Sequence, residues 1–387
     1  MNRIAFKSHP LLKKWAIPNL YGSGGLFKRI KAESMLLQKR YNPPFLCLNP
    51  IVSFLLRSKY EKSPKLKITR VSIPMSDGGT VGLDMMELQN KAASISNPLL
   101  PNVIHFPAGN ETCYSTKPQT LLKNYLEAGY PRVFVCNIRG KGSTPLTSPR
   151  FTFPYGDYSD VSGVIEVLED MYKDERWLLS GACFGGACVI DYLSSPQSNK
   201  SNIIGGVLHS IQWNLARSNE LAMAEPAFSL IMKPFAREMR DKLLYQKPGS
   251  EDVQQQIYEM IGKEDVEMLK NSPMKTVEEI EQLYIRGFSP VLNYEIKNHA
   301  DYFERMSPNN KFQSIRKPLV IVNAADDFAA PLDQSDVDDL ATNPNICLWL
   351  FAAGGHCAYV KSLWPVTNAI DDVMVECSNI VCENMSE

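Results

Sequence analysis

Along this chain, apolar and polar positions start irregularly and then settle into a rhythm. Residues 67–74 and 81–87 have strand character on either side of Ser76-Asp77-Gly78-Gly79, a turn sequence that predicts a hairpin. Six short runs follow, at 102–106, 132–137, 177–179, 203–209, 318–323 and 346–351, each apolar almost throughout. Unbroken apolar runs of this length are expected of strands covered on both faces. Helical spacing appears between them at 121–128 and 161–171. The alternation predicts an α/β protein with a mostly parallel central sheet and helices on both faces. Between residues 213 and 290 the rhythm breaks into helix-forming, charged sequence at 235–244, 251–261 and 277–284. An insertion ahead of the last two strands lies over the C-terminal edge of such a sheet, where ligands bind, and so predicts a lid. Its apolar Phe228, Leu230, Ile231 and Met232 suit an acyl chain, and core packing explains them equally well. The expected organisation is a basic arm over 1–65, a first core segment over 66–213, a helical lid over 214–290 and a second core segment over 291–387.

Composition adds a charge split. The 387 residues are 44% hydrophobic and 21% charged, which is ordinary globular usage. The net charge of -1 hides 15 Lys and Arg against only Glu33 and Glu61 in the first 70 residues. Near the start, Arg3, Lys7, Lys13 and Lys14 stand among Ile4, Phe6, Leu11, Leu12 and Trp15, a mixture that suits either peripheral membrane contact or plain solvated charge. Pro10 and Pro18 exclude one long helix there. The longest apolar stretch of the arm, 51–56, is far short of a bilayer span, and no secretory signal pattern is present. Nine scattered cysteines without a Cys-x-x-Cys pair point to free thiols in a reducing, cytoplasmic setting and to no metal site. No cofactor and no nucleic-acid partner is implied.

The chemistry concentrates at strand ends. Gly181-Ala182-Cys183-Phe184-Gly185 follows the strand at 177–179 and precedes a helical run. It has the form Gly-x-nucleophile-x-Gly, in which glycines leave room for a strained strand-to-helix turn and the helix N-terminus favours an anion. A glycine-rich turn around a buried cysteine is the plainer reading of that motif alone. The strand at 318–323 runs into Asp326-Asp327, and the strand at 346–351 runs into Gly354-Gly355-His356. Nucleophile, acid and base in that order match a hydrolytic triad on an α/β sheet.

With those motifs the chain resembles the α/β-hydrolases. It is similar to the group of the bacterial YheT esterase, plant embryogenesis-associated hydrolases and mammalian abhydrolase-domain phospholipases. Tyr41-Asn42-Pro43-Pro44, Asp77-Gly78-Gly79, Asn137-Ile138-Arg139-Gly140-Lys141-Gly142-Ser143, Thr147-Ser148-Pro149-Arg150, the Cys183 turn, Asn323 to Asp327 and Gly354-Gly355-His356 carry the resemblance. It implies an α/β-hydrolase fold and a triad of Cys183, Asp327 and His356. Asp327 is preferred over Asp326 because a proline follows four residues on, as in the group. Relatives carry a membrane anchor where this chain has its basic arm. Two departures stand out. The group's nucleophile is serine, and where the group has His-Gly this chain has His105-Phe106-Pro107-Ala108-Gly109. Pro107 has no N–H, so the oxyanion hole falls to Phe184 and to a second donor from Phe106, Ala108 or Gly109. The turn also resembles those of polyhydroxyalkanoate synthases and dienelactone hydrolases, which use cysteine. His105, Cys113 and His209 are candidate pocket residues, with packing roles the plainer alternative.

The expected enzyme forms a thioester acyl-enzyme on an ester, thioester or lactone carbonyl of a small acyl substrate. Ester hydrolysis is the conservative outcome. Acyl transfer or cyclisation by the same triad is the alternative, and a non-catalytic ligand-binding protein is the reading from another class.

Overall fold

The computed structural model describes residues 18–39, 41–89, 97–149, 158–224, 251–271 and 296–383, with short stretches between 233 and 245. The basic residues 1–17, the apolar set at 228–232 and the expected helix at 277–284 lie outside the described residues. The strands are β1 (Asn19–Tyr21), β2 (Leu66–Pro74), β3 (Thr80–Leu88), β4 (Asn102–Phe106), β5 (Val133–Asn137), β6 (Trp177–Ala182), β7 (Ile203–His209), β8 (Leu319–Ala324), β9 (Ile346–Phe351), β10 (Val360–Leu363) and β11 (Val366–Asn368). The helices are α1 (Gly25–Glu33), α2 (Pro50–Tyr60), α3 (Thr116–Glu127), α4 (Ser159–Met171), α5 (Phe184–Leu193), α6 (Leu215–Ala224), α7 (Glu251–Ile261), α8 (Lys263–Asn271), α9 (His299–Met306), α10 (Gln334–Thr342) and α11 (Ile370–Glu383).

The described strands form a nine-stranded sheet in the order β1-β9-β8-β7-β6-β4-β5-β3-β2. Pairing is parallel from β5 through β4, β6, β7 and β8 to β9. It is antiparallel at both edges, β2 and β3 forming the expected hairpin and β1 lying on β9. The unbroken apolar runs are explained by burial on both faces. In β9, Ile346, Leu348 and Leu350 join one core with α4, α5 and α10, while Cys347, Trp349 and Phe351 join the other with α1, α3 and α11. This is the α/β-hydrolase fold that the motif order implied.

Between β7 and β8 the described residues form helices α6 to α9 and no strand. The segments 19–39 and 41–60 are built into the fold despite their basic composition. β1 extends the sheet by pairing with β9, and α1 buries Leu26 and Ile30 while Lys28 and Lys31 stay exposed. Helix α2 starts at an Asn49 cap whose side chain accepts from the Ile51 and Val52 N–H groups, with Pro50 in the first turn. The short elements β1, β10 and β11 had no pattern of their own to announce them, because each is stabilised by the neighbour it meets.

Candidate active site

The Cys183 turn has the sharp strand-to-helix backbone that the motif led one to expect. Cys183 sits between β6 and α5 at φ 49°, ψ -119°, a conformation that L-residues rarely adopt. Its N–H donates to the His209 carbonyl at 3.0 Å and its carbonyl accepts from Ala187 at 3.1 Å, so both sides of the turn are held. The flanking glycines answer to close approach. A Cβ at Gly185 would lie 2.1 Å from the Phe106 carbonyl oxygen, and one at Gly181 would lie 2.8 Å from Gly186 Cα. Of the nine cysteines only Cys183 is not buried.

The expected acid and base come from the ends of β8 and β9. His356 Nδ1 lies 3.0 and 3.1 Å from the two Asp327 carboxylate oxygens. Asp327 Oδ1 also accepts from the Ala329 and Ala330 N–H groups at 2.9 Å, which fixes the carboxylate. Burial works against a charged imidazole at His356. The charges of Asp327, Cys357 and Cys183, with the Asp327 hydrogen bond, outweigh it and hold the pKa well above the ordinary histidine value. Asp326 does something different from its neighbour. Its Oδ1 accepts from the Gly354 and Gly355 N–H groups at 2.8 Å, tying the two strand ends together, and its Oδ2 is buried without a hydrogen-bond partner. Burial pushes the Asp326 carboxyl up to about 7 against the Gly355 and Gly354 donors, and the Asp327 charge adds to the rise.

The loop carrying His356 is strained and over-determined. Gly355, Cys357 and Tyr359 all have positive φ, at 60°, 53° and 47°. Glycine takes this region freely, but Cys357 and Tyr359 cost about 1–3 kcal/mol each there and persist only where the surroundings hold them. Here Cys357 donates its N–H to Ser210 Oγ at 3.0 Å, and the Cys357 carbonyl accepts from Arg57 Nη1 at 3.0 Å. Arg57 is fully buried and also binds Asp371 at 3.1 Å and Glu61 at 2.8 Å. Sequence reasoning missed Arg57, whose one local signal was Glu61 four residues on, in an arm nearly free of acids. Phe328 also joins the site, its ring 6.0 Å from His356 and 6.0 Å from Phe54 of α2.

The remaining candidates are placed around this centre. Phe106 and Ala108 are buried, the Phe106 carbonyl against Gly185 of the turn, and Phe184 opens α5. Lys141 donates to the Gly109 carbonyl at 2.5 Å, so the Arg139-Gly140-Lys141-Gly142 motif pins the loop after β4. Arg139 bridges Asp77 at 2.6 Å and Asp160 at 2.5 Å, locking that motif to the β2–β3 turn. His105 lies in the core against Ser180 Oγ at 3.0 Å, and burial lowers its pKa to about 4. His209 is buried edge-on to Tyr359; burial, then Arg57, keep its pKa well below the ordinary value, and its carbonyl rather than its ring touches the elbow. Cys113 is enclosed near Asp84, Arg70 and Asn137, and burial pushes its thiol up to about 12.

No family model matches the chain. Among curated proteins it is similar to phospholipase ABHD3 of Mus musculus, 23% identical over 349 residues covering 90% of this chain and 80% of that one. It is 23% identical over 354 residues to embryogenesis-associated protein EMB8 of Picea glauca, with 89% and 72% covered. Monoacylglycerol lipase ABHD2 of Mus musculus is 24% identical over 400 residues, with 95% and 86% covered.

Proposed function

We propose that this chain is an ester hydrolase acting on lipid esters through Cys183, His356 and Asp327. The observation that carries the reading is the His356–Asp327 pair, on whose imidazole Cys183, a positive-φ residue at the start of a helix, acts electrostatically. The similarity to a phospholipase and a monoacylglycerol lipase supports a lipid ester as substrate. In this mechanism Cys183 Sγ attacks the ester carbonyl carbon and His356 holds the thiol proton. The developing oxyanion meets the Phe184 N–H and a donor from the Phe106–Gly109 loop. Collapse of the tetrahedral intermediate breaks the C–O bond, and the alcohol leaves with the proton from His356. Water, deprotonated by His356, then cleaves the thioester, releasing the acid and restoring the thiol. Asp327 orients the imidazole and stabilises its charged form. The helices between β7 and β8 act as the lid over this site.

Acyl transfer is the second reading, favoured by cysteine at position 183, since a thioester passes its acyl group readily to alcohols and amines. Iodoacetamide labelling across pH, read by mass spectrometry, tests the triad. Cys183 is expected to label selectively near neutral pH and to lose that selectivity in His356→Ala. Labelling of Cys183 no faster than the other cysteines would refute it. Turnover of short p-nitrophenyl esters with and without an added alcohol then separates hydrolysis from transfer.

A further inference from the structure

Three elements beside the His356 loop, two of them consecutive in the chain, present large apolar side chains to solvent. The turn Phe45–Leu48 runs directly into α2, and Cys47 packs inward with Val360 and Val366 of the β10–β11 hairpin. The inner side of this small unit is therefore filled. Its outer side carries Phe45, which is 84% exposed, together with the half-exposed Leu46, Leu55 and Tyr60. Trp364, 88% exposed, stands at the hairpin tip between the paired Leu363 and Val366. Single exposed apolar residues are ordinary, but five large ones on one small packed unit mark an interaction surface.

Its charge identifies the partner. Lys59, Lys62 and Lys65 are exposed at the end of α2 and just beyond it, with no acidic partner among the described residues. The one acid between residues 41 and 65, Glu61, is buried and held by Arg57. The face is thus aromatic and aliphatic with an uncompensated lysine border. Lysine is depleted at protein–protein interfaces, whereas aromatic rings at headgroup level with lysines on anionic phosphates are characteristic of a lipid interface. We propose that this face docks on a bilayer surface carrying anionic headgroups. It connects to the site through Phe54 of α2, whose ring meets Phe328, which in turn meets His356. Docking would bring the His356 side of the molecule to the lipid, so the inference deepens the lipid-ester reading and rests on it.

The test is co-sedimentation of the full chain with phosphatidylcholine vesicles, with and without phosphatidylserine. The chain is expected to sediment with phosphatidylserine vesicles and to be released by salt. A Phe45→Ser, Trp364→Ser double variant should bind at least about tenfold more weakly. A Lys59→Glu, Lys62→Glu, Lys65→Glu variant should bind about a hundredfold more weakly. A full-length variant with Arg3, Lys7, Lys13 and Lys14 changed to serine should keep most of its binding. Circular dichroism checks that each variant is folded. Wild-type chain that stays in solution, or surface variants that bind as wild type, would overturn the proposal. So would surface variants that turn a dimer into a monomer in light scattering, since a second copy would then be the occupant. Sedimentation is read without turnover. Binding without ester hydrolysis would sink the hydrolase reading alone, and hydrolysis of soluble esters without binding would sink this one alone.

Discussion

Replacing Arg57 with leucine isolates the device that holds the His356 loop. The substitution keeps the helix and much of the side-chain volume, but it leaves Asp371 and Glu61 buried without their cation. It also strips the Cys357 carbonyl of its 3.0 Å donor. Removing one partner of a buried ion pair costs about 3–5 kcal/mol, because the other charge stays behind desolvated. With about 2.1 cal/mol/K of unfolding entropy per residue, a chain of 387 residues should lose about 4–6 °C in Tm. The pH dependence gives the sign. Burial raises the Asp371 carboxyl and Arg57 opposes that rise, so without Arg57 it climbs further. A carboxyl with a folded pKa above its unfolded value binds its proton more tightly in the folded state. Its destabilisation therefore grows as pH rises through the folded pKa and fades as pH falls. Thermal and urea unfolding, followed by the fluorescence of buried Trp177, Trp213 and Trp349, should show the largest deficit at about pH 8 and a smaller one at about pH 5. Arg57→Lys, which keeps the charge and loses the planar fork, should fall between. A deficit under about 1 kcal/mol at the higher pH, or one that grows on acidification, would refute the reasoning.

Asp327→Asn leaves the backbone acceptor role at Oδ1 but removes the charge beside His356. Ester turnover should fall by orders of magnitude, on the order of 10⁴, because the imidazolium loses its counter-ion. Asp326→Asn keeps an acceptor for Gly354 and Gly355 while removing a carboxyl that burial raises to about 7. Its stability relative to wild type should therefore rise as pH increases through 7, since wild type alone bears an increasingly ionised buried group; a pH-independent difference in urea midpoint would contradict this. Gly185→Ala places a methyl against the Phe106 carbonyl. It should cost about 1–3 kcal/mol and depress turnover by displacing the oxyanion loop, and wild-type activity with an unchanged melting curve would exclude that contact as a constraint.

By itself, the sequence determined eight of the sheet's nine strands and the order of its candidate chemical groups. Strands buried on both faces must be apolar at nearly every position, so β4 at 102–106, β7 at 203–209 and β9 at 346–351 were legible residue for residue. Glycines two positions on either side of Cys183 announced the elbow, because close approach to the Phe106 carbonyl and to Gly186 admits no Cβ. Only the tertiary structure decided how the loop of His356 is held. Arg57 lies 299 residues before His356, in a stretch whose composition reads as solvated basic charge, and its burial depends on Asp371 arriving from α11 beside Glu61 at the end of its own helix. The different duties of Asp326 and Asp327 were likewise invisible in their adjacency. One faces the Gly354 and Gly355 amides and the other the His356 ring, a division set by the direction in which two neighbouring side chains leave the end of β8.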